Sequence, residues 1–194
     1  MNSFNSAYAG TPPWDIGHPQ REFVLLAKAN EIQGSVLDVG CGTGEHALYL
    51  AGLGHEAWGV DSAPAAINKA MAKAQERGLE VNFLLQDAIE LKSLGRTFDT
   101  VIDCGLFHTF SDDERPVFAR NLTTVLRPAG TYYMLCFNEH ETGPGGPRRV
   151  SQAEIRDTFQ DGWKINYIRD ARFESNIHAD GARAWLSSIT YQPT

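Results

Sequence analysis

Val36-Leu37-Asp38-Val39-Gly40-Cys41-Gly42-Thr43-Gly44 carries an extended apolar run straight into three glycines set two residues apart. A strand passing through such a turn into a helix places a ligand at the carboxyl end of a parallel sheet. The next extended run, Ala57-Trp58-Gly59-Val60-Asp61, closes on an acid seventeen residues past Gly44. The two oxygens of that carboxylate suit the two hydroxyls of a ribose. Gly40, Gly42 and Gly44 are expected to let the backbone approach the ligand with no Cβ in the way. The stretch reads as a nucleoside-binding turn.

Two nucleoside cofactors compete for it. Nicotinamide enzymes favour Gly-x-Gly-x-x-Gly/Ala, with a pyrophosphate on the helix N-terminus; here the sixth position is Glu45, whose charge opposes a pyrophosphate. S-adenosylmethionine has no phosphate, and its ammonium can meet acids and carbonyls around Asp38 and Gly40. Cys41, Thr43 and His46 flank the turn and join Asp38, Gly40, Gly42, Gly44 and Asp61 as candidate cofactor contacts, with Ser62 beside them.

Outward from the turn, strand-like and helix-like runs alternate. A helix follows Asp61, with Ser62 as its expected cap, Pro64 in its first turn, Ile67, Ala70, Met71 and Ala74 at helical spacing, and Gly78 as its stop. Extended runs follow at 81–85, 98–104 and 132–137, with a helix from about Asp113 between the last two. A Gly/Pro-rich loop, Gly143-Pro144-Gly145-Gly146-Pro147, precedes a short helix at 151–159 and two extended runs, 164–169 and 184–191. The expected fold is α/β: a Rossmann-like, seven-stranded, mostly parallel sheet with helices on both faces and a C-terminal antiparallel hairpin. Before it, residues 1–34 form an irregular arm and a helix at 22–30, expected to act as a lid on the single domain 35–194.

Composition narrows the partners. The chain has 194 residues, 42% of them apolar, with 17 Lys+Arg against 24 Asp+Glu and a net charge of −7. One soluble domain of this length can bury roughly 70% of its unfolded surface without staples. No run is long enough to cross a membrane and no signal peptide is legible, so a cytoplasmic monomer or homodimer is expected. Cys41, Cys104 and Cys136 are odd in number and lie in apolar runs, which points to reduced thiols and no metal site. An acidic chain without a basic run is a poor nucleic-acid binder, leaving a small molecule as the expected partner.

At this level the chain resembles the class I S-adenosylmethionine-dependent methyltransferases, whose first motif looks like Val-Leu-Asp-Val-Gly-Cys-Gly-Thr-Gly. The resemblance implies that Asp61 holds the ribose and that Asp87, with Ala88, reaches the adenine amine. It also implies that the run ending in Asp103 lies beneath the transferable methyl, and that residues 126–130 form the turn before the fifth strand. Pro13-Trp14-Asp15-Ile16-Gly17, Arg115-Pro116, and Gly145-Gly146-Pro147 before Val150-Ser151 are similar to the thiol, halide and thiopurine methyltransferase group. In that group the arm lies over the cofactor, which gives Trp14 a role in excluding water.

Methyl transfer from a sulfonium is a direct displacement, so alignment is the main requirement; near-attack positioning contributes roughly 7–11 kcal/mol without a protein nucleophile. Leu106, Phe107, Phe110 and Phe137 are expected to wall the acceptor, with Phe4 and Tyr8 of the arm covering it. His108 is the candidate base and Asp103 a group that orients the site. Arg148-Arg149 reads as a surface pair. The run Asp103-Cys104-Gly105-Leu106 differs from the Asn/Asp-Pro-Pro-Tyr/Phe segment of enzymes that methylate exocyclic amines of bases. The expected function is methyl transfer to a small apolar or heteroaromatic acceptor, at a thiol first and at hydroxyl or ring nitrogen second. The alternatives are a non-catalytic S-adenosylmethionine-binding module and a nicotinamide-dependent oxidoreductase.

Overall fold

The computed structural model describes residues 3–142 and 144–193, so Gly143 of the Gly/Pro run lies outside the described residues. Apolar β-branched runs bounded by polar turns become β1 (Val36–Val39), β2 (Ala57–Asp61), β3 (Val81–Leu85) and β4 (Phe98–Cys104). They are followed by β5 (Leu126–Phe137), β6 (Trp163–Ser175) and β7 (His178–Tyr191). The sheet order is β3-β2-β1-β4-β5-β7-β6. The first five strands are parallel, and β7 runs antiparallel to both β5 and β6. That is the mostly parallel, seven-stranded arrangement with a C-terminal antiparallel hairpin read from the sequence.

The helices are α1 (Ser3–Ala7), α2 (Arg21–Lys28), α3 (Glu45–Gly52), α4 (Pro64–Arg77), α5 (Glu114–Val125) and α6 (Gln152–Thr158). They leave two buried apolar layers, one on each side of the sheet. Phe98, Phe118, Leu122 and Tyr132 fill the first, and Phe23, Leu26, Ile32 and Leu50 fill the second. Each such side chain contributes about 1.5–3 kcal/mol on burial. Cys41 and Cys136 are buried, Cys104 is half-buried, and all three are free thiols.

Four local expectations are corrected. The arm contains the short helix α1, which its polar composition hid. Ser62 does not cap α4; the residue before the helix is Ala63, and Oδ1 of Asp61 accepts the Ala63 N–H at 2.8 Å. Residues 126–130 belong to β5, because Phe98 pairs with Leu126 and the backbone bulges before Thr131. The hairpin is longer than the apolar runs, since β6 and β7 continue through charged residues to a tight turn at Asn176-Ile177.

Register positions the site. Val39 faces both Val60 and Asp103, and Asp61 faces Leu85. The turns after β1, β2, β3 and β4 therefore open on the same edge of the sheet.

Candidate active site

Asp61 organises the glycine turn. Its Oδ2 accepts the Gly42 N–H at 2.9 Å while Oδ1 holds Ala63, so one carboxylate ties the end of β2 to the turn after β1. The glycines leave room for the protein itself. A Cβ on Gly44 would stand 2.5 Å from the Phe83 ring, and one on Gly42 would stand 2.8 Å from the Tyr8 hydroxyl. Gly40 is similarly crowded by Leu106. Gly44 packs α3 onto β3 and is not among the residues lining the cavity.

A cavity of about 970 Å³ opens along this edge. Gly40, Cys41, Gly42, Thr43 and His46 line its floor, and Asp61, Ser62, Asp87 and Ala88 line one end. Asp38 is buried beneath the floor and does not line the cavity; the Ala47 amide is the backbone group that bears on its carboxyl. Burial and the neighbouring Asp103 push its pKa well up. His46 approaches it at 3.9 Å, but Nε2 of His46 accepts the Gln20 N–H at 3.1 Å and burial draws its pKa down to about 4. The contact is thus one of a neutral imidazole with the carboxyl group.

The objection to a pyrophosphate does not come from Glu45, as the sequence implied. Glu45 is only 7% exposed and is held by Lys73 at 2.8 Å and by both terminal nitrogens of Arg77, so its charge is balanced.

The arm roofs this half of the cavity. Tyr8 is 5% exposed, its hydroxyl accepts the Trp14 indole N–H at 3.0 Å, and Phe4 meets Trp14 edge-on. Asp15 accepts the Thr43 hydroxyl at 2.7 Å, and Lys73 donates to the same Thr43 oxygen. On the other side, Asn176 donates its backbone N–H to Pro13 at 2.8 Å and its amide to the Asp15 carbonyl at 3.0 Å. Gln20 and Glu174 exchange two further bonds. The β6–β7 turn therefore grips the arm, and Ser175, Ile177 and His178 join the lining. Sequence reasoning missed these three; the sole signal was Asn176, a turn former, between the two runs.

Leu106, Phe110, Phe137 and His108 line the far half, together with Phe173, another residue the sequence reading missed. Phe107 does not: it points into the core against Phe118 and Phe159, with the Arg115 guanidinium 5.0 Å over its ring. Asp103 is also absent from the lining. It accepts bonds from the Leu106 and Phe107 amides and from the Tyr132 hydroxyl at 2.7, 3.0 and 2.8 Å, and burial raises its pKa to about 7. Asp103 fixes the loop after β4 that carries Leu106, and so bears on the cavity through that loop.

His108 accepts the Phe137 N–H on Nδ1 at 3.1 Å, so that lone pair is occupied where a base would need it; burial, then Arg149 and Arg115, hold its pKa near 3. The arginine pair is engaged by protein. Arg148 bonds Asp112 and Glu154, and Arg149 donates to the carbonyls of Gly145 and Pro147.

Comparison with known proteins fits this geometry. Residues 36–130 match a family model described as a methyltransferase domain. A 2-heptyl-1-hydroxyquinolin-4(1H)-one methyltransferase of Mycobacteroides abscessus is 36% identical over 187 residues, covering 91% of this chain and 82% of the relative. A probable thiol methyltransferase of Arabidopsis thaliana is 28% identical over 149 residues, covering 75% and 66%. One solved structure, from work on the conversion of a disulfide bond into a thioacetal group during echinomycin biosynthesis, superposes with a TM-score of 0.89 at 36% identity. It covers 97% of this chain and 90% of its own. A magnesium protoporphyrin IX methyltransferase of Synechocystis shares the fold at a TM-score of 0.68 and 22% identity, covering 88% and 76%. The chain belongs to the class I S-adenosylmethionine-dependent methyltransferases, and S-adenosylmethionine is its cofactor.

Proposed function

We propose that this enzyme methylates a small aromatic or heteroaromatic molecule at a sulfur or an acidic hydroxyl, with ring nitrogen as the lesser target. The carrying observation is the two-part cavity. Its volume stands near the top of the roughly 300–1,000 Å³ range of small-molecule sites, and its far half is walled by Leu106, Phe110, Phe137 and Phe173. The relatives named for a hydroxyquinolone and for thiols support the same class of acceptor.

The residues present fit the cofactor. Asp61 offers carboxylate lone pairs beyond the Gly42 and Ala63 amides that suit ribose hydroxyls, and Asp87 and Ala88 line the same end of the cavity, where an adenine would be met. The cofactor supplies an electrophilic methyl group on a sulfonium. The chain supplies position and dryness: Asp103 holds the loop carrying Leu106, while Trp14 and Tyr8 keep water out from above. A dispersing sulfonium charge favours such an apolar wall.

Transfer of a labelled methyl from S-adenosylmethionine to a panel of thiols, phenols, hydroxyquinolones, halides, small RNAs and proteins tests this. Labelled small aromatic thiols or hydroxyl compounds are expected. Label confined to macromolecules, or none anywhere despite cofactor binding, refutes the proposal.

A further inference from the structure

Two-residue β-hairpin turns take asparagine for its tolerance of a left-handed backbone. The β6–β7 turn, Asn176-Ile177, does not use it so: among the described residues the non-glycine positions with positive φ are Asn30 and Ala129. What Asn176 contributes is its donors. Its backbone N–H is bonded to the Pro13 carbonyl at 2.8 Å and its side-chain amide to the Asp15 carbonyl at 3.0 Å, so one residue holds the chain on both sides of Trp14.

That segment needs holding. The arm is moored to α4 at one end, where Asn5 accepts the Ala65 N–H at 3.0 Å, Lys69 donates to the Gly10 carbonyl at 2.8 Å, and Tyr8 packs with Ala63 and Ala66. It is moored to β6 at the other, where Gln20 and Glu174 exchange two bonds. Between them residues 11–19 cross the cavity mouth with Pro12 alone buried, and Pro13, Trp14, Asp15, Ile16 and His18 face the space below. Trp14 is 40% exposed, so no core packing pins it; its indole rests on the Tyr8 hydroxyl and the edges of Phe4 and Tyr8. Asn176 does not itself line the cavity.

We infer that Asn176 is a positioning residue for the cofactor: acting through Trp14, it holds the middle of this span down over the glycine turn and sets how long S-adenosylmethionine stays bound. The Asp15 it grips also accepts the Thr43 hydroxyl, so the hairpin tip, the span and the glycine turn share one line of bonds.

The test uses S-adenosylhomocysteine with the whole protein, so no methyl acceptor enters it and the acceptor class has no bearing on the result. Wild type is compared with Asn176→Ala, Asn176→Asp, Trp14→Ala and the double variant of Trp14→Ala with Asn176→Ala. Stopped-flow release, hydrogen exchange of residues 8–17 against β1 and β4, and thermal melting are measured.

Asn176→Ala keeps the backbone bond to Pro13 and loses the amide bond to Asp15. Release should quicken about fivefold at an unchanged association rate and thermal midpoint, the effect of one hydrogen bond. Asn176→Asp should release faster still, because it turns a carboxylate oxygen on the Asp15 carbonyl. Exchange should quicken within residues 8–17 and stay unchanged in the strands. Once Trp14→Ala is made, Asn176→Ala should add nothing, since both act through one contact.

Equal release from wild type and both Asn176 variants would overturn the inference. Faster exchange throughout the chain with a lowered midpoint would overturn it too, leaving Asn176 a structural residue. Additive effects of Trp14→Ala and Asn176→Ala would do the same, because Trp14 would then not be what Asn176 positions.

Discussion

Asp61 is bonded to backbone amides of the protein itself, those of Gly42, Ala63 and Ser62, so its removal acts on both the turn and the cofactor. Asp61→Ala should cost about 2–4 kcal/mol of S-adenosylmethionine affinity by calorimetry, the range of charged hydrogen bonds to both hydroxyls plus a loosened turn. Asp61→Asn should recover part of it, because the amide oxygen still accepts one N–H. His46 gives a second prediction, from the side of pH. Its folded pKa of about 4 lies below the ordinary value of about 6.5, so between these the unfolded chain binds more protons and stability falls as pH falls. Asp103, raised to about 7, acts in the opposite sense, losing stability as pH rises from about 4 to 7. His46→Gln should therefore flatten the acid-side loss by up to about 1.4 kcal/mol per pH unit, measured by urea unfolding between pH 6.5 and 4. Asp61 was legible in the sequence because its place is fixed by strand order. The tautomer of His108 was not, since its partner is a backbone amide 29 residues away. Phe107 was misread for a simpler reason: in the tight turn Phe107–Thr109, neighbours point to opposite sides.

At the scale of elements, the arm and the β6–β7 turn form one unit. The aromatics Phe4, Tyr8 and Trp14 stood out in a polar segment and do meet one another. What they close against was illegible, because the charged alternation of residues 170–183 carries no apolar stripe. A truncation starting at His18 should still unfold cooperatively, as the strands and both apolar layers lie beyond it. It should bind S-adenosylmethionine more weakly and transfer almost nothing, since Tyr8 and Trp14 no longer cover the cavity. Thermal melting, calorimetry and turnover of the best acceptor check it together. Full turnover by the truncated chain would remove the lid role proposed for residues 1–34.

Across the whole molecule the sheet was readable because βα alternation admits few topologies, and only the bulge before Thr131 and the hairpin's length escaped. A cross-link that no pattern announced is the buried Arg115, paired with Glu154 at 2.8 Å. Glu154 also closes the capping box of α6 with Ser151 and bonds Arg148, so one carboxylate joins α5, the Gly/Pro loop and α6. Those bonds hold its pKa down, near 2. Glu154→Ala should cost about 1.5–3 kcal/mol in chemical denaturation, because it takes the nearer of two carboxylates from a buried guanidinium and leaves it Asp112 at 3.7 Å. In wild type this contribution is present above the ordinary carboxylate pKa and is lost as pH falls towards 2.

The seam between Asn176 and the arm also sets a timetable. Asn176 and Asp15 are 161 residues apart, so their contact is among the last that a chain leaving the ribosome can make. A nascent chain ending at β5 already owns the glycine turn and Asp61, yet lacks the Ile177 wall and the clamp on the arm. The cavity takes its full lining only once the β6–β7 turn has emerged and docked onto the arm.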